Sequence, residues 1–164
     1  MNYSPNDINK FQDQQSHNSL LLSIIVPLYN VEKYIHASLE SIFRQGLDER
    51  VFEVIVVNDG TKDHSMEVIQ DIVSQHKNIT IINQENLSLS VARNNGIAAA
   101  RGEYILMPDS DDLLIENSLA VLLGKALETK ADLVVADFLE MTDEEINNTK
   151  DIPQKALQLT EKNG

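Results

Sequence analysis

Short apolar runs alternate along this chain with segments whose apolar residues recur every three or four positions. Five of these runs, rich in isoleucine, leucine and valine, predict β-strands at residues 20–26, 52–57, 79–82, 104–107 and 133–136. The runs are apolar almost throughout, so we expect strands that are covered on both faces, as in a parallel sheet.

Amphipathic segments separate the predicted strands. Their apolar stripes at helical spacing begin at Val31, Met66, Leu89 and Leu119. The third helix is predicted to span residues 89–101, with Ser88 as its cap and Gly102 as its stop. The fourth is predicted to begin near Asn117 or Ser118. Because strand and helix alternate five times, we predict an α/β fold with a parallel sheet and right-handed crossovers.

The character of the chain changes at both ends. Residues 1–19 are polar with little periodicity and are predicted to form a flexible leader. Residues 20–140 are predicted to form the sheet domain. Residues 141–164 form a polar, acidic tail, which we interpret as a helix with a frayed end or as the start of a truncated acceptor region.

Composition narrows the class of partner. The chain has 164 residues, of which 13 are basic and 26 acidic, for a net charge of −13. That charge repels nucleic acid and anionic lipid, so we expect no nucleic-acid partner. There is no cysteine, which excludes disulfides, thiolate zinc sites and a cysteine nucleophile.

The sequence also contains no run of about 18 apolar residues that would predict a transmembrane segment. The first 18 residues are polar and do not resemble a signal peptide. We therefore expect a cytoplasmic protein, or one that works at the inner face of a membrane.

Three carboxylates emerge together where the fourth predicted strand ends. Asp109, Asp111 and Asp112 follow the apolar residues 104–107 directly. Crowded like charges raise one another's pKa values, and a hard divalent cation removes that cost. The pattern suggests a metal held ready for a phosphate-bearing ligand, although the triplet alone is better explained by a solvated acidic loop before a helix.

Polar groups follow other predicted strands as well. Residues 29–32 follow the first strand, residues 58–63 follow the second, and residues 90–94 open the third helix. Ligands of open α/β sheets bind beyond the carboxyl ends of the strands. The clustering of polar groups at one edge of an otherwise apolar sheet therefore predicts a binding site there.

Four motifs occur in a characteristic order: residues 24–30 (IIVPLYN), 56–63 (VVNDGTKD), 92–96 (ARNNG) and 109–112 (DSDD). Together they resemble family 2 glycosyltransferases of the GT-A fold over about residues 20–138. The resemblance implies a three-layer α/β/α fold with a mostly parallel central sheet. It also implies an inverting transfer from a nucleotide-diphosphate sugar, with UDP-sugars expected, to a carbohydrate or lipid-linked acceptor in polysaccharide or glycoconjugate synthesis.

The resemblance assigns roles to individual residues. Pro27 and Tyr29 would line the nucleotide pocket, and Glu32 would lie by the ribose. Asp59 would accept the imide N–H of uracil, and Arg93 would face the nucleotide or steady the acidic cluster. The residues alone leave other interpretations open: an aromatic at the rim for Tyr29, a complement to the helix dipole for Glu32, and a surface ion pair for Arg93.

For the metal, the resemblance implies Mg²⁺ or Mn²⁺ bridging the two phosphates of the donor. Asp111 would be the direct ligand, and Asp109 would hold the ribose or the metal. The chain departs from the family where Leu87 and Ser88 replace the usual glycines and where Pro108 replaces a large apolar residue.

We identify no catalytic residue, because nothing near the acidic residues 143–145 matches the family's base motif. A non-catalytic nucleotide-sugar-binding fragment that lacks the acceptor half is therefore the alternative to an active transferase. A sugar-phosphate nucleotidyltransferase is disfavoured, since the first strand is not followed by a glycine-rich basic loop. A phosphoacceptor domain is disfavoured because its acidic pair follows the first strand.

Overall fold

Four parallel strands form the central sheet in the computed structural model, which describes residues 4, 6–8 and 20–142. The strands are β1 (Leu22–Leu28), β2 (Phe52–Asp59), β3 (Ile79–Gln84) and β4 (Tyr104–Leu106). Their order in the sheet is β3-β2-β1-β4, so β1 and β2 are central strands and β3 and β4 lie at the edges.

Helices cover both faces of this sheet. They are α1 (Ile35–Phe43), α2 (Ser65–Val68), α3 (Gln70–Gln75), α4 (Leu89–Ala99) and α5 (Ser118–Thr129). Residues of α1, α2, α3 and α5 share one apolar core with the first face of the sheet. On the other face, α4 packs on β1 and β2 around Ile25, Ile55, Val57 and Ala92. The structure therefore confirms the predicted α/β class with layers on both sides of a mostly parallel sheet.

The contact between α4 and the sheet depends on a small residue. A Cβ atom at Gly96 would overlap Cγ2 of Ile25 on β1. Because Gly96 carries no side chain, the helix lies close against the strand and its polar residues come near the end of the sheet.

The two edge strands differ from the prediction. β1 and nearly all of β2 are buried, as expected for strands with both faces covered. In contrast, Thr80 and Asn83 of β3 and Ile105 of β4 are exposed. The expectation that all strands are covered on both faces is wrong for β3 and β4, because each has a strand neighbour on one side only and α4 lies over β1 and β2.

The predicted strand at residues 133–136 is wrong. α5 ends at Thr129, the next residue Lys130 has a left-handed conformation, and residues 133–142 have no regular secondary structure. Leu133, Val135 and Phe138 are 78%, 74% and 82% exposed. An apolar run forms a strand only where it finds a neighbouring strand and a covering layer, and this run has neither among the described residues.

Helix boundaries also differ locally. The predicted second helix is divided into α2 and α3 at Ile69, whose backbone dihedrals (φ −100°, ψ 1°) leave the helical region. α4 ends at Ala99, three residues before Gly102. Ser88 directly precedes α4 but does not make the predicted side-chain cap. α5 begins at Ser118, within the predicted start, and Asn117 before it makes no side-chain cap either.

The segment between α4 and β4 is fixed by a buried carboxylate. Glu53 of β2 accepts hydrogen bonds from Ser23 Oγ at 2.8 Å and from the Arg101 N–H at 2.7 Å. The Arg101 guanidinium reaches Glu53 Oε2 at 2.6 Å. Burial raises the pKa of Glu53, but these hydrogen bonds outweigh it and the pKa lies below its ordinary value. This network attaches the chain after α4 to both central strands.

One residue of the predicted leader lies in the core. Ile8 is fully buried in the larger apolar cluster, and Ser4 Oγ donates to Asp7 Oδ2 at 2.6 Å in the turn before it. The periodicity of residues 1–19 does not predict this contact. The boundaries of the leader and of the 141–164 tail remain predictions, and residues 143–164 lie outside the described residues. In the part of the chain that the structure describes, no helix combines the length and the hydropathy needed to cross a bilayer.

Candidate functional site

The loops with the predicted functional residues meet at the carboxyl edge of the sheet. β1 and β2 are in register at their ends, with Leu28 beside Asn58, and Asp59 ends β2. β4 runs parallel on the other side of β1 and leads into the acidic loop of Asp109. β4 pairs with β1 only as far as Ile24, so it ends before β2 does along the strand direction, and the residues after Leu106 continue toward the acidic loop.

Asp59 is buried at this edge, with 4% of its surface exposed. Its Oδ1 accepts hydrogen bonds from Gln84 Nε2 at 2.7 Å and from the Leu87 N–H at 2.8 Å. Its Oδ2 accepts one from the Ser88 N–H at 3.1 Å. Burial raises the pKa of Asp59, but the three hydrogen bonds outweigh it and the pKa lies below its ordinary value. The side chain is therefore an ionised acceptor.

Two residues without an assigned role connect Asp59 to α4. Gln84 ends β3, and its Oε1 accepts a hydrogen bond from Asn95 Nδ2 of α4 at 2.6 Å. The sequence analysis missed Gln84, although it lies two residues after the predicted strand at residues 79–82 and the rule for strand ends applies to it. Asn95 lies within one of the family motifs, but only its contact in the structure shows what it touches.

Arg93 of the same helix pairs with the acidic loop. Its guanidinium Nη2 lies 2.6 Å from Asp109 Oδ1, and the Asp109 side chain is about half exposed. Two side chains of α4 thus reach the ends of two different strands, because Arg93 contacts Asp109 while Asn95 reaches Asp59 through Gln84.

The acidic loop retains uncompensated negative charge. The Asp112 N–H donates to the Asp109 carbonyl at 3.1 Å, which folds the loop into a turn. Burial raises the pKa of Asp112, and the charges of Asp111 and Asp109 raise it further. The exposed side chain of Asp111 makes no hydrogen bond or ion pair with any described residue.

These carboxylates fit a cation that shares its coordination with a phosphate ligand. Among residues 4, 6–8 and 20–142 there is no group of three acidic, histidine or cysteine side chains placed to hold a metal ion. Mg²⁺ in particular is commonly bound through one or two carboxylates together with substrate phosphates and water. The hard oxygen donors of Asp109 and Asp111 match that type of site.

The loops after β1 and β2 are joined by a set of short hydrogen bonds. Thr61 Oγ1 accepts from the Asn30 N–H at 2.8 Å and donates to Asp63 Oδ1 at 2.7 Å. Asp63 Oδ2 accepts from the Glu32 N–H, and Glu32 Oε2 accepts from the His64 N–H, both at 3.0 Å. One oxygen of the predicted ribose residue Glu32 is therefore used in holding the two loops together.

Asp63 is the centre of that set. Burial raises its pKa, but hydrogen bonds from Ser65 and Thr61 and from the Glu32 N–H bring it far below the ordinary value. Because its oxygens already accept four hydrogen bonds from within the chain, Asp63 stabilises the loops and has little capacity left for a ligand.

The two predicted pocket residues of the first motif lie at the end of β1. Pro27 is buried beside Val57 of β2, and Tyr29, directly after the strand, is 40% exposed. The structure thus puts Pro27 within the sheet and leaves the Tyr29 ring accessible at the rim, where an aromatic face could contact a ligand.

The loop between β3 and α4 has an unusual backbone. Ser88 has φ 102° and ψ 156°, a region that glycine adopts readily and other residues rarely do. A Cβ at Gly60, whose φ is +67°, would lie 2.9 Å from the Asn86 nitrogen. The loop after β2 and the loop before α4 are therefore packed backbone to backbone beside Asp59.

A separate groove lies away from these loops. A cavity of about 720 Å³ is lined by β4, by α5 and by residues 130–134 at the open edge of the sheet. Its lining is mostly apolar and contains neither Asp59 nor Asp111, so it is separate from the candidate site.

A mostly parallel α/β sheet with carboxylates gathered at this edge is the architecture of GT-A glycosyltransferases. The chain belongs to glycosyl transferase family 2, whose family model matches residues 23–163. It is 42% identical over 122 residues to the uncharacterized glycosyltransferase EpsJ of Bacillus subtilis, covering 74% of this chain and 35% of that protein.

Solved structures support the same class. A crystal structure of S. aureus TarS (1-349) in complex with UDP-GlcNAc matches with a TM-score of 0.58 and 32% identity, covering 66% of this chain and 30% of that chain. The mannosyltransferase PcManGT from Pyrobaculum calidifontis, in complex with GDP-Man and Mn²⁺, matches with a TM-score of 0.60 and 25% identity. That match covers 72% of this chain and 34% of the PcManGT chain. The chain thus spans about a third of the length of these relatives.

Proposed function

We propose that this chain binds the donor of an inverting, metal-dependent glycosyltransferase that uses a UDP-sugar. The acceptor we propose is a carbohydrate or a lipid-linked saccharide in polysaccharide or glycoconjugate synthesis. Membership of family 2 supports sugar transfer, and the UDP-GlcNAc complex of TarS supports a uridine nucleotide.

The observation that carries this proposal is the pair of contacts made by α4. Through Arg93 the helix holds Asp109, and through Asn95 and Gln84 it holds Asp59. A nucleotide diphosphate has its base at one end and its phosphates at the other. An acidic position at the end of β2 and another after β4, both connected to the same helix, suit those two ends.

At the base end, Asp59 is the proposed acceptor for the imide N–H of uracil. Oδ2 accepts one hydrogen bond and Oδ1 accepts two, so Oδ2 is the oxygen with capacity for another donor. Tyr29 presents an exposed ring to the base or ribose, Pro27 shapes the end of β1, and Glu32 lies near the ribose.

At the phosphate end, Asp111 is the proposed direct ligand of Mg²⁺ or Mn²⁺, and Asp109 contributes to the metal or the ribose. When bound, such a cation stabilises the charge of the leaving diphosphate as a Lewis acid. Arg93 holds Asp109 in place before the ligand arrives. Transfer also needs a general base, and we assign none among the described residues.

The test is a calorimetric titration of the chain with UDP in the presence of Mn²⁺ and of EDTA. We expect EDTA to weaken binding, because the metal bridges the diphosphate to the protein. We expect Asp111→Ala to weaken Mn²⁺-dependent binding at least about tenfold, as for the loss of one charged ligand. The matched control is Asp132→Ala, which removes an exposed carboxylate on the groove side of the molecule. UDP binding that is unchanged by EDTA and by Asp111→Ala would contradict the proposed function.

A further inference from the structure

We propose that Asn95 and Gln84 are positioning residues that orient the Asp59 carboxylate for the base of the nucleotide. The inference rests on the proposed function, since it gives Asp59 a ligand to receive. It adds to that function two residues that touch no ligand themselves and act through Asp59.

Hydrogen bonds connect Asn95 to Gln84 and Gln84 to Asp59, and the negative charge of Asp59 fixes which group donates in each of them. An ionised Asp59 can only accept, so Gln84 must turn its amide Nε2 toward it. The carbonyl Oε1 of Gln84 then faces away, toward Asn95, and Asn95 must donate with its Nδ2. A donor at position 95 therefore supports the orientation of the Gln84 amide that Asp59 requires, and an acceptor at position 95 would oppose it.

The same carboxylate fixes the loop that leads into α4. The Leu87 and Ser88 N–H groups both donate to Asp59, across 28 and 29 residues of sequence. With Gln84 on one side and this loop on the other, the Asp59 side chain is held in a single orientation. If Gln84 turned its carbonyl toward Asp59, two acceptors would face each other and that orientation would be lost.

The orientation of the Asp59 carboxylate is not explained by a neighbouring charged side chain. Within the described residues, no charged side chain makes a hydrogen bond or an ion pair with Asp59. Arg93, the cation of α4 nearest in sequence to Asn95, pairs with Asp109 on the β4 side. Only neutral donors hold the carboxylate, so the orientation of these donors decides the orientation and the titration of Asp59.

The test uses Asn95→Asp, which keeps the size of the side chain and replaces the donor by an acceptor. The carboxyl titration of Asp59 is followed by carbon NMR in the ligand-free protein, and UDP affinity is measured with Mn²⁺. We expect the midpoint for Asp59 to rise and UDP binding near neutral pH to weaken about tenfold.

The pH profile separates positioning from simple loss of structure. As the pH falls toward about 4, where an ordinary aspartate titrates, the introduced carboxyl takes up a proton and can donate to Gln84 again. The ratio of the variant and wild-type dissociation constants should therefore fall as the pH is lowered. Because it is a ratio, it cancels the protonation of UDP itself.

Two further variants keep the test decisive. Ala98→Asp adds a carboxylate to an exposed position of the same helix, and it should leave the Asp59 titration unchanged. Gln84→Met removes the amide without adding charge, and it should raise the Asp59 midpoint. In the Gln84→Met background, Asn95→Asp should have a smaller effect on Asp59 than in the wild type, because its route through the amide is absent.

The outcomes distinguish this inference from the proposed function. If Asn95→Asp and Gln84→Met leave the Asp59 titration like that of Ala98→Asp, the positioning role is overturned. If UDP binds to wild type and Asn95→Asp binds it equally well at every pH, the positioning role is again overturned, while the proposed function stands. If the Asp59 titration shifts as expected but the wild type does not bind UDP, the proposed function fails, and the orientation of Asp59 by Asn95 and Gln84 stands.

Discussion

Ser88 occupies a backbone conformation that suits glycine better than serine. Its φ of 102° and ψ of 156° place it where a Cβ atom meets steric conflict. The conformation persists because the loop must turn the N–H groups of Leu87 and Ser88 onto Asp59. Sequence resemblance to the family leads to the same position, since glycines are usual there. Strain at one residue thus accompanies the proposed site.

Replacing this serine tests the strain directly. Ser88→Gly should raise the free energy of unfolding by about 1 kcal/mol, because relief of strain exceeds the backbone entropy cost of glycine. The Ser88 side chain makes no hydrogen bond with a described residue that would be lost. Chemical denaturation provides the measurement.

The matched control for that measurement is Ser90→Gly within α4. It should lower stability by about 0.5 kcal/mol, since glycine is a poorer helix former than serine. A Ser88→Gly protein that is destabilised as much as Ser90→Gly would show that the loop carries no strain at this residue.

At the scale of elements, a buried glutamine joins α1 to the start of α5. Gln45 is 1% exposed, and its Nε2 donates to the Ser41 carbonyl at 2.9 Å and to the Ile115 carbonyl at 3.1 Å. Its Oε1 accepts from the Leu119 N–H at 3.1 Å. The side chain of Gln45 thus caps an N–H group in the first turn of α5, and it fixes the segment that follows the acidic loop.

Removing that amide should be costly. Gln45→Leu leaves the Ile115 carbonyl and the Leu119 N–H without their partner in a buried place, so we expect a loss of about 2–4 kcal/mol in the free energy of unfolding. The control is Gln75→Leu at an exposed position of α3, which should change stability by less than about 0.5 kcal/mol. Urea denaturation measures both. A Gln45→Leu effect as small as the control would contradict the capping role.

Elements were predictable where local pattern and tertiary environment agree. β2 begins at the predicted residue, and α5 begins at Ser118, one of the two predicted starts. The absence of a strand at residues 133–136 could not be predicted, because this apolar run resembles that of β1. Whether such a run pairs depends on a neighbouring strand, and periodicity contains no information about that neighbour.

The site was predictable in outline for a different reason. Parallel strands must end at one edge, so Asp59 and Asp109 could be placed together from the order of the motifs. The partners of Asp59 could not be predicted, because its contact with Leu87 joins residues 28 positions apart through a loop without periodicity. The rule for strand ends could have placed Gln84 at this edge, but its contact with Asn95 could not be predicted.

At the scale of the whole molecule, the net charge and the position of the carboxylates both favour a site that needs a cation. The chain carries a net charge of −13, which would repel a nucleotide diphosphate unless a cation accompanied it. The carboxylates at the ends of β2 and β4 would contribute most to this repulsion, because they lie at the proposed site. The groove beside β4 and α5 is lined mostly by apolar side chains, with Glu103, Lys130 and Asp132 among the others, so we expect the donor to bind at the strand ends instead.

The central claim is that Asp59 and the acidic loop belong to one nucleotide-diphosphate site. The most direct measurement is an NMR titration of the labelled chain with UDP in the presence of Mg²⁺, following backbone amides at both positions. The claim predicts that signals of Gly60 and Leu87 beside Asp59, and of Ser110 and Asp111, shift together with one dissociation constant. Shifts at only one of these two places, or shifts confined to residues 130–134 in the groove, would contradict it.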